Sequence, residues 1–384
     1  MRVARTIVVL AGMSALLIPG ASQATTTSPG DAVAAEQATG AVSHGWAKAP
    51  LRRVAPKGFR VGAAAAGGGH HLEQDYPDPF TFDRVYRRAL DVHFNSLTPE
   101  NQLKWEFVHP ERNRYEFRAA DAIVRFAREH DQGVRGHTLL WHSQNPAWLT
   151  EGNFTADELR GILRDHIRTV VGRYKGKIYQ WDVTNEIFDG SGNLRTSENI
   201  WLRTLGPGVI ADAFRWAHQA DPKAKLFLND FGADGINAKS DAYLRLAQEL
   251  RAAGVPVHGF AVQGHLSLPN AFPATMAANL KRFEDAGFET AVTEVDVRMP
   301  LPGGAAPTEE QLRTQADYFR QALDACLSVK RCKSFTVWGT IEKYSWVPIF
   351  FPDQGQATIL WDDYRPKPAY HALQSALAAA RRGR

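Results

Sequence analysis

The chain has 384 residues, 44% of them hydrophobic and 22% charged, the composition of a folded globular protein and not of a disordered one. That length allows one large domain or two ordinary ones. Lysine and arginine number 45 against 41 aspartates and glutamates, so the excess is thin; without a basic recognition helix or aromatic ribonucleoprotein motif, nucleic acid is excluded as a partner.

Residues 1–24 read as an export signal: "MRVAR" gives the positive start, "TIVVLAGMSALLIPG" the apolar middle, and "ASQA" the small residues before a cut after Ala24. The apolar middle is short for a membrane span. Residues 25–50 are small, polar and aperiodic, a flexible lead-in. No later apolar run would cross a bilayer, so a secreted, extracellular protein without a membrane partner is expected. The terminal "RRGR" reads as a solvated tail.

From residue 51 to 384 apolar runs alternate with helical stretches. The runs are "RVGAAAA", "HFNSLTPE", "GVRGHTLLWH", "IYQWDVTNE", "AKLFLND", "VHGFAVQGH", "TAVTEVD" and "SFTVWGT". Between them lie "AADAIVRFAREH", "ADELRGILRDHIRTVVGRY", starting near Asp157, and "SDAYLRLAQELRAAG", stopped by Gly254. Near-continuous apolar strands separated by helices predict a parallel sheet covered by helices. Eight such units predict a (β/α)₈ barrel, an α/β fold in a single catalytic domain. An open dinucleotide-binding sheet is disfavoured, because "AAAAGGGHH" lacks the required glycine spacing. Cys326 and Cys332, in "CLSVKRC", have no second pair to complete a metal site. In an exported chain they are expected to form a local disulfide.

Polar residues follow the apolar runs: Glu100, Asn101 and Lys104; His137, Trp141 and His142; Asn185 and Glu186; Asn229 and Asp230; Gln263 and His265; Glu294 and Asp296; Trp338. A barrel gathers all of these at one mouth, where desolvating so many polar groups demands partners or a ligand. Each alone has a plainer reading, as a satisfied core histidine or a packed tryptophan. A metal-dependent amidohydrolase would need His-x-His after the first strand. Here His70 and His71 are adjacent, and on a strand they would face opposite ways, so no metal is expected. Glu186 and Glu294, ending the fourth and seventh runs, instead suit glycoside hydrolysis, which needs one acid and one carboxylate flanking a sugar. Trp141, Trp338 and Trp346 offer flat apolar faces for sugar rings.

At these residues the chain resembles glycoside hydrolase family 10, the endo-β-1,4-xylanases. The stretches are "FNSLTPENQLKWE", "RGHTLLWHSQNPAW", "WDVTNEIFDG", "LFLND", "VQGHL", "VTEVDVR", "TVWGTIEKYSW" and "YRPKPAYHAL", in the family's order from about residue 51 to 375. The resemblance implies cofactor-free, retaining cleavage of internal bonds in xylan and xylo-oligosaccharides. It implies Glu186 as acid/base and Glu294 as nucleophile, with Asn185 on the 2-hydroxyl of the sugar at the cleavage site. His265 and Asp296 match a hydrogen-bonded chain behind the nucleophile, while His137 and Lys104 match partners of the same sugar. Glu100 and Asn101 match contacts one sugar further toward the non-reducing end. Gln144 and Trp346 match residues that crowd the place of a glucose hydroxymethyl group. Trp141, Gln263 and Trp338 complete the expected substrate-binding set.

Three departures stand out: "NDFG" in place of the usual "NDYN", Glu342 in place of an Asp, and a longer loop "VPIFFPDQGQATILWD" after Trp346. They bear on the leaving-group side rather than on the chemistry. A monomer without an appended carbohydrate-binding module is expected. Two other readings stay open: a barrel glycosidase acting on another β-linked glucan, and a non-catalytic glycan-binding barrel.

Overall fold

Arg60–Ala65 opens the sheet (β1), and five of its six residues are buried, the pattern of a strand covered on both faces. The computed structural model describes residues 49–72 and 74–383; the expected export signal and almost all of the lead-in lie outside the described residues. The next strands are β2 (Ser96–Pro99), β3 (Gly133–Leu140), β4 (Gln180–Asn185), β5 (Lys225–Asp230), β6 (Gly259–Val262), β7 (Glu289–Pro300) and β8 (Cys332–Val337). All neighbours are parallel. β1 pairs with β2 at Gly62↔Ser96 and with β8 at Val61↔Phe335, and the ring closes where β8 meets β7 at Val295↔Val337. The result is the eight-stranded barrel expected from the alternation.

Inside the barrel large rings need small neighbours. A side chain on Gly136 would strike the Trp181 indole, and one on Gly259 would strike the Phe227 ring, so both positions must stay bare.

Each strand is followed by a helix: α1 (Arg84–His93), α2 (Arg118–Glu129), α3 (Ala156–Arg173), α4 (Gly208–Ala220), α5 (Ala238–Ala252), α6 (Met276–Asp285), α7 (Glu309–Leu327) and α8 (Pro368–Arg382). α3 is capped by Thr155, immediately before Ala156, rather than by Asp157. The Thr155 hydroxyl accepts from the Glu158 N–H, and the Glu158 carboxylate accepts from the Thr155 N–H. That reciprocal pair satisfies two otherwise unpaired donors and contributes about 1 kcal/mol. α5 stops as expected, with Gly254 in the left-handed region at φ 69°.

Cys326, in the last turn of α7, is disulfide-bonded to Cys332 at the start of β8, with Cα atoms 5.3 Å apart. α8 packs along α7 and against the turn Leu51–Val54 that leads into β1. Gln374 donates to the Ala49 carbonyl, and Arg381 to that of Arg53. Among the described residues no helix is long and apolar enough to cross a membrane.

Two expectations are corrected. β1 ends at Ala65, so His70 and His71 lie in the following loop; Gly68, at φ 127°, helps turn the chain out of the sheet, and side-chain alternation does not apply to the pair. The seventh run does not stop at Asp296. It continues to Pro300 because its far end finds new partners, a short parallel strand His265–Ser267 and an antiparallel one, Gln354–Gly355.

Candidate active site

β4 delivers Asn185 and Glu186 to the barrel mouth. Glu186 is in the left-handed region at φ 56°, uncommon for a residue with a side chain, yet its N–H still donates to the Asn229 carbonyl at 3.0 Å. Its carboxyl is fixed by neutral donors. Trp141 Nε1 lies 2.8 Å from Oε2, while Gln263 Nε2 and Asn185 Nδ2 lie 3.1 and 3.2 Å from Oε1. His142 Nε2 stands 3.9 Å away.

Glu294 sits midway along β7, its N–H donating to the Gln263 carbonyl at 2.8 Å. Two imidazoles and an amide surround it. His265 Nε2 is 3.2 Å from Oε2, His137 Nδ1 is 3.8 Å from Oε1, and Asn229 Nδ2 donates to Oε1 at 2.8 Å. Burial alone would raise this carboxyl; His137, His265 and Asn229 outweigh it and hold it at about 2. Burial likewise disfavours charge on His265, but Asp296 and Glu294 raise it to about 10. Asp296 Oδ2 accepts from His265 Nδ1 at 2.9 Å and from Trp346 Nε1 at 2.8 Å, which fixes both rings. Asp182 does the same for His137, at 3.0 Å, while paired with Arg135.

An amide relay joins the carboxyls. Asn229 Nδ2 donates to both Glu294 Oε1 and Asn185 Oδ1, each at 2.8 Å. Gln263 Nε2 then donates to Asn185 Oδ1 at 3.2 Å and to Glu186 Oε1 at 3.1 Å. Glu294 is thus kept ionised by the histidines and the amide around it, and Glu186 is held by neutral donors at the rim.

Around the pair lies a cleft of about 460 Å³. Of the residues expected from sequence, Glu100, Asn101, Lys104, His137, Trp141, Glu186, Gln263, His265, Glu294, Trp338 and Trp346 line it. Asn185, Gln144 and Asp296 stand behind and position those that do. Gln144 Oε1 accepts from Lys104 Nζ at 2.7 Å, and Asn101 Oδ1 accepts from the same ammonium at 2.8 Å. Lys104 lies 4.9 Å from the Trp141 ring centre. Burial lowers Lys104 to about 8 and raises Glu100 to about 7.

Strands β1 and β5 are diametrically opposed in an eight-membered ring, so the loops after them mark the two ends of the cleft. After β5 stands Phe231, its ring 4.0 Å from Lys239 Nζ, which is itself 2.8 Å from the buried Asp230. Burial raises Asp230 to about 7. After β1 stands His70, against Phe350 of the β8 loop. The variant loop after Trp346 is therefore across the mouth from "NDFG", not beside it.

Sequence reasoning missed several of these groups. Asp182 is hidden in mid-strand, and its partners Arg135 and His137 are 47 and 45 residues away in the chain. Asn229 carried a signal, its place at a strand end, but its role in bridging was invisible. Ser143, Arg298 at the end of β7, and Phe350 and Phe351 of the variant loop also line the cleft, and none was assigned a role from sequence.

The sequence pattern of Glycosyl hydrolase family 10 matches residues 51–376. Endo-1,4-beta-xylanase B of Thermotoga neapolitana is 40% identical over 336 residues, 87% of this chain and 93% of that one. The crystal structure of native xylanase 10B from Thermotoga maritima superposes with a TM-score of 0.80 at 40% identity, covering 87% of this chain and 100% of that chain. Xylanase 10B from Thermotoga petrophila RKU-1, solved in complex with xylobiose, gives a TM-score of 0.78 at 40% identity, covering 87% and 98%.

Proposed function

Because the chain belongs to glycosyl hydrolase family 10, we propose that it is an endo-1,4-β-xylanase that hydrolyses xylan by double displacement, with Glu294 as nucleophile and Glu186 as acid/base. The observation that carries this reading is the asymmetry of the two carboxyls. Glu294 lies among His137, His265 and Asn229, which keep it anionic, while Glu186 receives hydrogen bonds from neutral groups.

In the first step Glu294 forms a bond to the anomeric carbon as the glycosidic C–O bond breaks, and Glu186 gives its proton to the departing oxygen. In the second, Glu186 takes a proton from water, whose oxygen bonds to the anomeric carbon and releases Glu294. Asn185, with Oδ1 fixed by Asn229 and Gln263, is suited to hold the 2-hydroxyl of the reacting sugar. His137 and Lys104 are suited to the same sugar, and Glu100 and Asn101 to the next. Trp141, Trp338 and Trp346 supply the ring faces. The N-terminal charge and hydropathy pattern supports export, and with it action outside the cell.

Proton NMR of the earliest products from a xylo-oligosaccharide tests the mechanism: the β-anomer is expected first, and α-anomer first would reject double displacement. Hydrolysis rates on soluble xylan and carboxymethyl cellulose, compared side by side, test the substrate. Faster release from the cellulose derivative would favour a β-glucan as the natural target.

A further inference from the structure

The loop after β8 is longer than its family resemblance leads one to expect, and it is firmly built. Gln354–Gly355 pairs with Pro300 and Met299 at the end of β7, and Leu301 N–H donates to the Asp353 carbonyl at 2.7 Å. Gln356 N–H donates to the half-buried Glu342 at 2.5 Å, and Lys367 Nζ reaches the Gln356 carbonyl at 3.2 Å. The departure at Glu342 thus ties down the loop's far end. Proline at 348 and 352 flanks Ile349, Phe350 and Phe351.

This scaffold holds out Phe350, which is 43% exposed although it lines the cleft. Its ring stands 4.5 Å from that of His70, edge-on, and 5.3 Å from that of Trp346. His70 is itself braced: its N–H donates to Gln74 Oε1 at 2.7 Å, and its carbonyl accepts from Gln144. The contact joins the loops after β8 and β1 and closes the gap between them, beside Glu100, Asn101 and Lys104. An exposed apolar ring fixed on both flanks offers nothing to hydrogen-bond a sugar substituent, and it fills the space such a substituent would need.

The geometry points to Phe350, braced by His70, as a specificity-determining wall that excludes branches from the xylose unit seated over Glu100 and Asn101, one unit beyond the reacting sugar. The inference rests on the xylan reading above and adds a preference within it. The arm of the cleft on the non-reducing side accepts bare backbone, and a sugar or uronic acid side group at that unit is rejected by steric conflict.

The test compares kcat/KM for a linear xylo-oligosaccharide with that for the same chain carrying an arabinofuranosyl or glucuronosyl branch on that unit. In Phe350→Ala the branched-to-linear ratio is expected to rise about tenfold, the scale of one relieved steric clash. His70→Ala, which removes the brace, should raise it less, and Phe350→Trp should leave it at or below the original value. An unchanged ratio in Phe350→Ala overturns the wall. So does a parallel fall on both substrates, which would make Phe350 a stacking platform. Should the alanine variant fold poorly, Phe350→Leu is expected to raise the ratio at least twofold, and no rise there overturns the inference equally. Failure of the unaltered enzyme to cleave the linear substrate would reject the assigned reaction, and the wall with it.

Discussion

His137 stands 3.8 Å from Glu294 and is the foremost influence lowering that carboxyl against the opposing pull of burial. His137→Asn should therefore raise Glu294 from about 2 toward the ordinary carboxylate range. The ionised form is the nucleophile, so activity is lost as pH falls through this value, and the acidic limb of kcat/KM should move to higher pH. An unmoved limb would mean that another group sets it. Glu186→Ala should cost about 10²- to 10⁴-fold on xylan and flatten the alkaline limb with a good aryl leaving group. If that limb persists, a different residue supplies the proton. Across the mouth, Phe231 keeps a ring but no hydroxyl, and Gly232, at φ 64°, has open space where a side chain would project. Asn tolerates the left-handed region better than most residues. Phe231→Tyr with Gly232→Asn should therefore steepen the gain in kcat/KM from lengthening a substrate on its reducing side. About fivefold per added hydrogen bond is expected, with an aryl xylobioside almost unaffected. Equal length dependence in both enzymes would show that the pair makes no contact there.

The eight strands were legible because each is a short apolar run that ends in polar residues, and burial on both faces leaves little room for any other pattern. Boundaries were less so. Asp157 carries the charge favoured in a first helical turn, but Thr155 is the cap, because only its geometry returns the bond from Glu158. β7 outruns its sequence signal because its last residues are held by segments that come from elsewhere in the chain. The Cys326–Cys332 bridge was readable from spacing and joins α7 directly to β8. On the chain-entropy account, closing this short loop stabilises by about 2 kcal/mol. Cys326→Ser with Cys332→Ser should lower the urea midpoint by a corresponding amount while leaving the rate at 25 °C nearly intact. A large loss of activity at that temperature would mean the bridge also holds the mouth in shape.

At the scale of the whole molecule, stability is tied to pH through buried rings. His166 of α3 stacks on Trp105 with centroids 3.5 Å apart, and its Nδ1 lies 3.2 Å from that of His109. Burial, with His109 adding to it, pushes His166 well below its usual 6.5. The unfolded chain takes up this proton first, so the stability is complete above 6.5 and declines as pH falls below it. In His166→Phe, which keeps an aromatic ring in the stack, the difference between melting temperatures at pH 7.5 and pH 5 should narrow. An unchanged difference would place the acid sensitivity elsewhere. Such couplings could not be read from sequence, since His109 and His166 are 57 residues apart and meet only because the loop after β2 packs on α3. The same holds for Phe350 and His70, whose meeting depends on ring closure.

That closure also frees the chain from its own order. Ala49 and Arg53 receive hydrogen bonds from Gln374 and Arg381, so the segment leading into β1 lies beside the end of α8, at the barrel floor remote from the catalytic mouth. A circularly permuted enzyme, with Arg382 linked to Ala49 and new ends opened at the exposed glycines 303 and 304, would keep every strand pairing and the amide relay. Its expected kcat on xylan is close to that of the parent. The floor is equally the place to tether a cargo domain, since a passenger fused there would hang on the side away from the polysaccharide and leave the cleft unobstructed.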